Sequence, residues 1–189
     1  MNENEWTKSI CDRLRDNFND GIIFVDTLCK IPYSQEIVCY DSEWNTKDIL
    51  PSSFETDLVI YEKKDTIIKP RVVIEAKLGS ITTHDAITYS YKAEKHKYIT
   101  PYLRYGIMIG NRSHYPLPGR LYRHGTNFDF MFSFSGMSPD IDEWISFVEM
   151  LAKEISYSRT TEEMLHESRS KDRKRYYMLQ KQLIVKEIQ

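Results

Sequence analysis

At 189 residues, with a formal net charge of −2, the chain has the size of a single domain spanning residues 1–189, long enough to bury a sizeable core and too short for a second module. Hydrophobic residues make up 41% and aromatics 13%, with only 7 glycines and 7 prolines, which excludes a disordered or low-complexity chain. Three widely spaced cysteines, Cys11, Cys29 and Cys39, do not suit a disulfide framework or a zinc knuckle, and the acidic start lacks the basic and apolar regions of a signal peptide. No apolar run approaches bilayer length, so the expectation is a soluble cytoplasmic α/β protein with no membrane partner.

Taken in chain order, residues 3–18 place Trp6, Ile10, Leu14 and Phe18 at four-residue spacing, which predicts an amphipathic helix. Residues 22–29 read as a strand closed by Pro32, residues 36–40 as a second short strand, and residues 41–53 as a loop. Residues 54–61 have strand propensity, Lys63-Lys64-Asp65 supplies a turn, and the β-branched run at 72–74 predicts the second arm of an antiparallel hairpin. Thr82 to Ala86 opens a helix that runs to Tyr98 and stops before Pro101. Residues 105–110 predict a buried strand and residues 128–134 an alternating aromatic one, with a long loop between them. The C-terminal part, 136–189, reads as helical. One helix spans 140–155, and a second runs from Thr160, basic at Arg169, Lys171, Arg173, Lys174 and Arg175 and apolar near Leu179, Leu183 and Ile184.

The chemistry concentrates at Glu75-Ala76-Lys77. An acid followed two residues later by lysine occurs three times, also at Glu62-Lys63-Lys64 and Asp172-Arg173-Lys174, but only Glu75 follows a buried-type strand. Side-chain alternation puts Glu75 and Lys77 on one face. Asp57, near the start of the preceding strand, can lie beside them if the hairpin register allows. Two carboxylates could then hold a divalent cation while a lysine orients or activates water.

With Asp57, Glu75 and Lys77, the chain resembles the PD-(D/E)xK nuclease superfamily. It departs from the fullest pattern in having Thr56 where a proline stands. The resemblance covers the element order over residues 1–135 and implies a restriction-endonuclease-like core, a central mixed β-sheet flanked by helices, with a helical C-terminal extension. It implies that Asp57 and Glu75 ligate Mg2+, that the backbone carbonyl of Ala76 adds a ligand, and that Lys77 assists the attacking water. Glu55, on the same strand face as Asp57, and Glu5, on the first helix, are further acids for such a site. His84, Tyr89 and Lys92 are candidates from the helix that follows the motif.

The implied activity is Mg-dependent cleavage of double-stranded DNA to a 5′-phosphate and a 3′-hydroxyl, with no nucleotide cofactor, in a bacterial cytoplasm. Within type II restriction endonucleases, size and the lack of a recognition module point to the small cleavage subunit of a heterodimeric type IIS enzyme, partnered by a large recognition and nicking subunit. A homodimeric restriction enzyme, a repair or resolvase nuclease, and a non-catalytic module on a nuclease-like scaffold are the alternatives. Residues 1–65 carry 14 acids and 7 basic residues, against 14 and 19 in residues 66–189, which inclines the second part toward DNA. There, Arg112, Arg120, Arg123 and His124 in the long loop are suited to phosphate contacts.

Overall fold

The computed structural model describes residues 1–18, 20–166, 171–172, 174–180 and 183–186. In chain order the elements are α1 (Glu3–Asn17), β1 (Ile23–Tyr40), β2 (Thr46–Lys64), β3 (Ile67–Leu78), α2 (Thr83–Ile99), β4 (Arg104–Gly110), α3 (Gly119–His124), β5 (Phe130–Ser133) and α4 (Ile141–His166). The strands form one mixed sheet in the order β1-β2-β3-β4-β5. β1, β2 and β3 pair antiparallel, whereas β3, β4 and β5 pair parallel. The parallel pairs need crossovers, which α2 and α3 supply.

Both faces of the sheet are covered. Trp6, Ile10 and Leu14 of α1 pack with Phe147, Leu151 and Ile155 of α4 against Leu58, Ile60, Val72, Ile74 and Ala76. On the other face Val59, Val73 and Tyr105 meet Ala93 of α2, and Ile107 and Ile109 meet Ala86 and Leu121. β3, covered on both sides, therefore reads as the continuous apolar run expected of a central strand. Asn2 and Glu5 close a capping box at the start of α1, and Thr82 and Asp85 do the same for α2. No helix among the described residues is long and apolar enough to cross a membrane.

Four expectations need correction. Pro32 does not close a strand: β1 continues through it to Tyr40, because β1 is an edge strand and Pro32 sits at a register shift where no ladder N–H is required. Residues 41–53 are not a loop. β2 begins at Thr46, and only a tight turn remains, in which Asp41 accepts hydrogen bonds from the amides of Glu43 and Asn45. Part of the long loop before β5 is helical, as α3. At the C-terminal end, α4 runs unbroken to His166, so Thr160 opens no second helix. Lys171, Lys174, Arg175, Leu179, Leu183 and Ile184 are not helical, and Arg169 and Arg173 lie outside the described residues.

β3 pairs with β2 only from Leu58 onward, while β1 and β2 stay paired out to Tyr40 and Thr46. The outer halves of β1 and β2 thus form a two-stranded arm extending past the end of β3.

One glycine lets the layers approach. A Cβ on Gly110 would lie 2.6 Å from the Trp6 ring, and Trp6 is fully buried with its indole N–H donated to the Met137 carbonyl at 2.8 Å. The ring cannot yield. Gly110→Ala is expected to destabilise the fold by about 1–3 kcal/mol, read as a lower urea midpoint with an unchanged slope. An unaltered midpoint would mean that the ring is not held as described.

Candidate active site

The site forms where β2 and β3 part. Beyond the Leu58–Ile74 pair, Asp57 Oδ2 accepts the Ala76 amide at 2.7 Å, so a carboxylate takes the place of the next strand carbonyl. Alternation turns Glu75 toward α2, into the layer that holds Val73 and Tyr105. Glu75 is completely buried. The Tyr105 hydroxyl, carried on β4, donates to its Oε1 at 2.5 Å, and Lys92 Nζ from α2 approaches the same oxygen at 3.4 Å. Glu75 Oε2 has no hydrogen-bond partner.

These surroundings hold Glu75 protonated well above the usual carboxylate range. Burial is the main cause and the neighbouring charge of Asp57 the second; Lys92 and Tyr105 offset part of the effect, a hydrogen bond shared with Asp57 adds to it, and the pKa is raised to about 7. Tyr105 is itself pushed well above the ordinary phenol range, first by burial and then by Glu75. At neutral pH it is a hydrogen-bond donor.

Lys77 shares this face but points along the strand end. Its ammonium lies 3.5 Å from Glu3 Oε1 and 3.8 Å from Asp85 Oδ1, and 5.5 Å from the centre of the Tyr89 ring. Burial alone would lower its pKa; Tyr89, Glu3 and Asp85 outweigh burial and raise it. Lys77 therefore stays a cation. Glu3 is fixed in turn by accepting the Leu78 amide at 3.0 Å, and Asp85 by its capping bonds to Thr82.

Asp57, Glu75 and Lys77 lie in one region with Tyr89 and Lys92 of α2, and the Ala76 backbone lies between them. Glu5, Glu55 and His84 do not join. Glu5 is consumed in the α1 cap, and it is Glu3, one half-turn earlier, that faces Lys77. Glu55 is exposed on the arm opposite Lys30, and His84 is exposed and touches Thr88. Tyr105 escaped notice because Tyr-Gly-Ile-Met-Ile-Gly reads as packing; only the parallel register, with Val73 beside Tyr105, brings its hydroxyl to Glu75.

No group of three His, Cys, Asp or Glu side chains placed to hold a metal occurs among the described residues. Asp57 and Glu75 are two carboxylates, which suits Mg2+, a cation that keeps several waters and is often bound through one or two carboxylates plus substrate phosphate oxygens. The unpartnered Glu75 Oε2 fits such a ligand.

A second polar cluster surrounds α3. Arg120, Arg123 and His124 line a cleft of about 280 Å³ together with Thr83, Tyr115, Pro118 and Gly119. Arg112 does not line it; half-buried, it lies with its guanidinium 5.8 Å from the Tyr115 ring centre.

Comparison of the chain with sequence models of known protein families gives no match, and comparison with curated proteins gives none. The functional reading therefore rests on the geometry and on the motif.

The state of Glu75 has a consequence for stability. An unfolded glutamate loses its proton near 4.5, whereas the folded site holds it to about 7. The folded protein binds the extra proton between those values, so the metal-free protein is expected to lose about 3 kcal/mol as pH rises through this window. Glu75→Gln should flatten the profile and be the more stable protein above the window. Urea denaturation in chelator across that range checks this, and identical profiles for the two proteins would refute it.

Proposed function

We propose that this chain is a Mg-dependent DNA endonuclease with a restriction-endonuclease-like core, acting as the small cleavage subunit of a heterodimeric type IIS restriction endonuclease in a bacterial cytoplasm. The observation that carries the reading is the pair of a buried Glu75 and a half-buried Asp57, in which Glu75 Oε2 accepts no N–H or O–H donor and the carboxyl is pushed up by burial and by its neighbour. A buried carboxyl that keeps its proton beside a second carboxylate is a place where a divalent ion can displace that proton and bind. The element order, with a helix, an antiparallel meander, a crossover helix and a parallel strand, supports the same core.

In this proposal Asp57, Glu75 and the Ala76 carbonyl hold Mg2+, which when bound supplies a Lewis acid for the phosphate oxygens and acidifies a water. Tyr105 and Lys92 grip Glu75 Oε1 and so leave Oε2 for the ion. Asp57 is held in place by the Ala76 amide. Lys77, kept cationic, donates hydrogen bonds that orient the attacking water and stabilise charge growing on the phosphate; as an ammonium it does not accept the water's proton. Glu3 and Asp85 aim it.

The arm supports a protein partner. Ile37, Val38, Tyr40, Trp44, Ile49 and Leu50 are exposed on it, Trp44 at 80%, and its acids Glu36, Asp41, Glu43, Asp48 and Glu55 outnumber its bases, Lys30 and Lys47. An acidic apolar ribbon is poorly suited to DNA and well suited to the large recognition subunit.

The test is cleavage of plasmid DNA in magnesium, with and without the products of neighbouring genes. Asp57→Asn, Glu75→Gln and Lys77→Ala are each expected to lose activity by about 10²–10³ or more, with circular dichroism unchanged. Cleavage by Asp57→Asn or Lys77→Ala at the wild-type rate would overturn the assignment. Calorimetric Mg2+ binding that disappears in Glu75→Gln separates an enzyme from a non-catalytic clamp.

A further inference from the structure

The cleft beside α3 is distinct from the carboxylate site yet tied to it through α2. Thr83 lines the cleft, while Asp85, two residues on, contacts Lys77. Two residues rotate about 200° around a helix, so the two sites flank opposite sides of the same first turn. Both lie near the carboxyl ends of the parallel strands, Leu78 in β3 and Gly110 in β4, where ligands of open α/β sheets collect.

The lining is that of an anion site. Arg120 donates one N–H to the Ile81 carbonyl at 2.9 Å, which fixes its guanidinium. Arg123 and His124 have no carboxylate partner among the described residues, and no acid is among the residues that line the cleft. Gly119 lies on the wall of the cleft: its amide donates to the Tyr115 hydroxyl at 3.0 Å, and a Cβ there would lie in ordinary contact with that hydroxyl at 3.7 Å and with the Arg123 guanidinium at 3.8 Å, so a longer side chain at this position would extend into the cleft.

Resting on the nuclease reading above, we propose that this cleft binds a phosphate of the DNA strand being cut, through Arg123, Arg120, His124 and the Tyr115 hydroxyl. A helix is about 10–12 Å thick, and each nucleotide advances a duplex strand by about 3.4 Å along its axis, so the cleft phosphate lies within a few nucleotides of the scissile one. It positions the strand and carries no sequence information.

Full-length protein, a short fluorescent DNA duplex with either 5′-phosphate or 5′-hydroxyl ends, and a salt series test this by anisotropy. Arg123→Ala is expected to weaken binding about tenfold and to lower the slope of log K against log salt by about one. Gly119→Leu, which fills the cleft without changing charge, should weaken binding similarly, whereas removal of an exposed cation elsewhere, Lys8→Ala on α1, should do neither. In amide NMR, inorganic phosphate should shift Gly119 and Thr83 in the wild type and not in Arg123→Ala. Dependence on the 5′-phosphate assigns the cleft a terminal phosphate, and independence an internal one. Unchanged affinity and salt slope in both cleft variants, with no phosphate-induced shift, overturn the proposal. If the wild type cleaves while both cleft variants bind as it does, the cleft proposal alone fails. If no combination of gene products ever cleaves, yet Arg123→Ala loses DNA affinity, the nuclease reading fails and the cleft stands.

Discussion

A carboxyl group inside a sheet, held by a tyrosine hydroxyl 2.5 Å away, is the constraint on which the rest of the site depends. Burying Glu75 without partners would cost several kcal/mol. Tyr105 and Lys92 satisfy one of its oxygens, and the proton it retains removes the charge. What remains is a single oxygen with no protein donor, next to a second carboxylate. Such an arrangement is a poor way to stabilise a fold and a good way to leave a place for a cation.

The sheet topology makes the arrangement possible. β3 is antiparallel to one neighbour and parallel to the other. Asp57 arrives from the antiparallel side as β2 turns away, and Tyr105 arrives from the parallel side two residues along β4. The crossover helix required by the parallel pair lies directly over Glu75, so Tyr89 and Lys92 come with the connection. Glu3 completes the ring from α1, whose packing on the opposite face brings its first turn to the end of β3.

Where a local signal is strong, the sequence could be read. α1 follows its apolar period, β3 shows the continuous apolar run of a strand covered on both faces, α2 is marked by its Thr82 start and the Pro101 stop although its buried face is Ala86, Ser90, Ala93 and His96, and Glu75 stood out as an acid ending an apolar run. The outer part of the arm could not be read this way, because none of residues 41–53 is buried and nothing there imposes alternation; its Asp, Ser, Asn and Pro looked like a loop. Pro32 misled for a related reason, since only membership of the edge makes proline harmless there. Glu5 looked as good as Glu3 because helical spacing does not say which of two acids is consumed by a cap. Tyr105 was hidden by register, which a parallel pair fixes through packing across α2 and not through any local turn.

Among the described residues, the outer edges of the arm have no strand partner beyond the β1–β2 pair, and such an edge is a template on which another chain can add a strand. The edges are broken rather than smooth. Three register shifts interrupt β1 between Pro32 and Tyr40, Pro32 and Pro51 each remove an N–H donor, and four carboxylates near the tip repel a second copy of the same ribbon. Self-stacking of the arm is thereby disfavoured, so that the same exposed apolar side chains that would otherwise seed aggregation remain available to a surface of opposite charge.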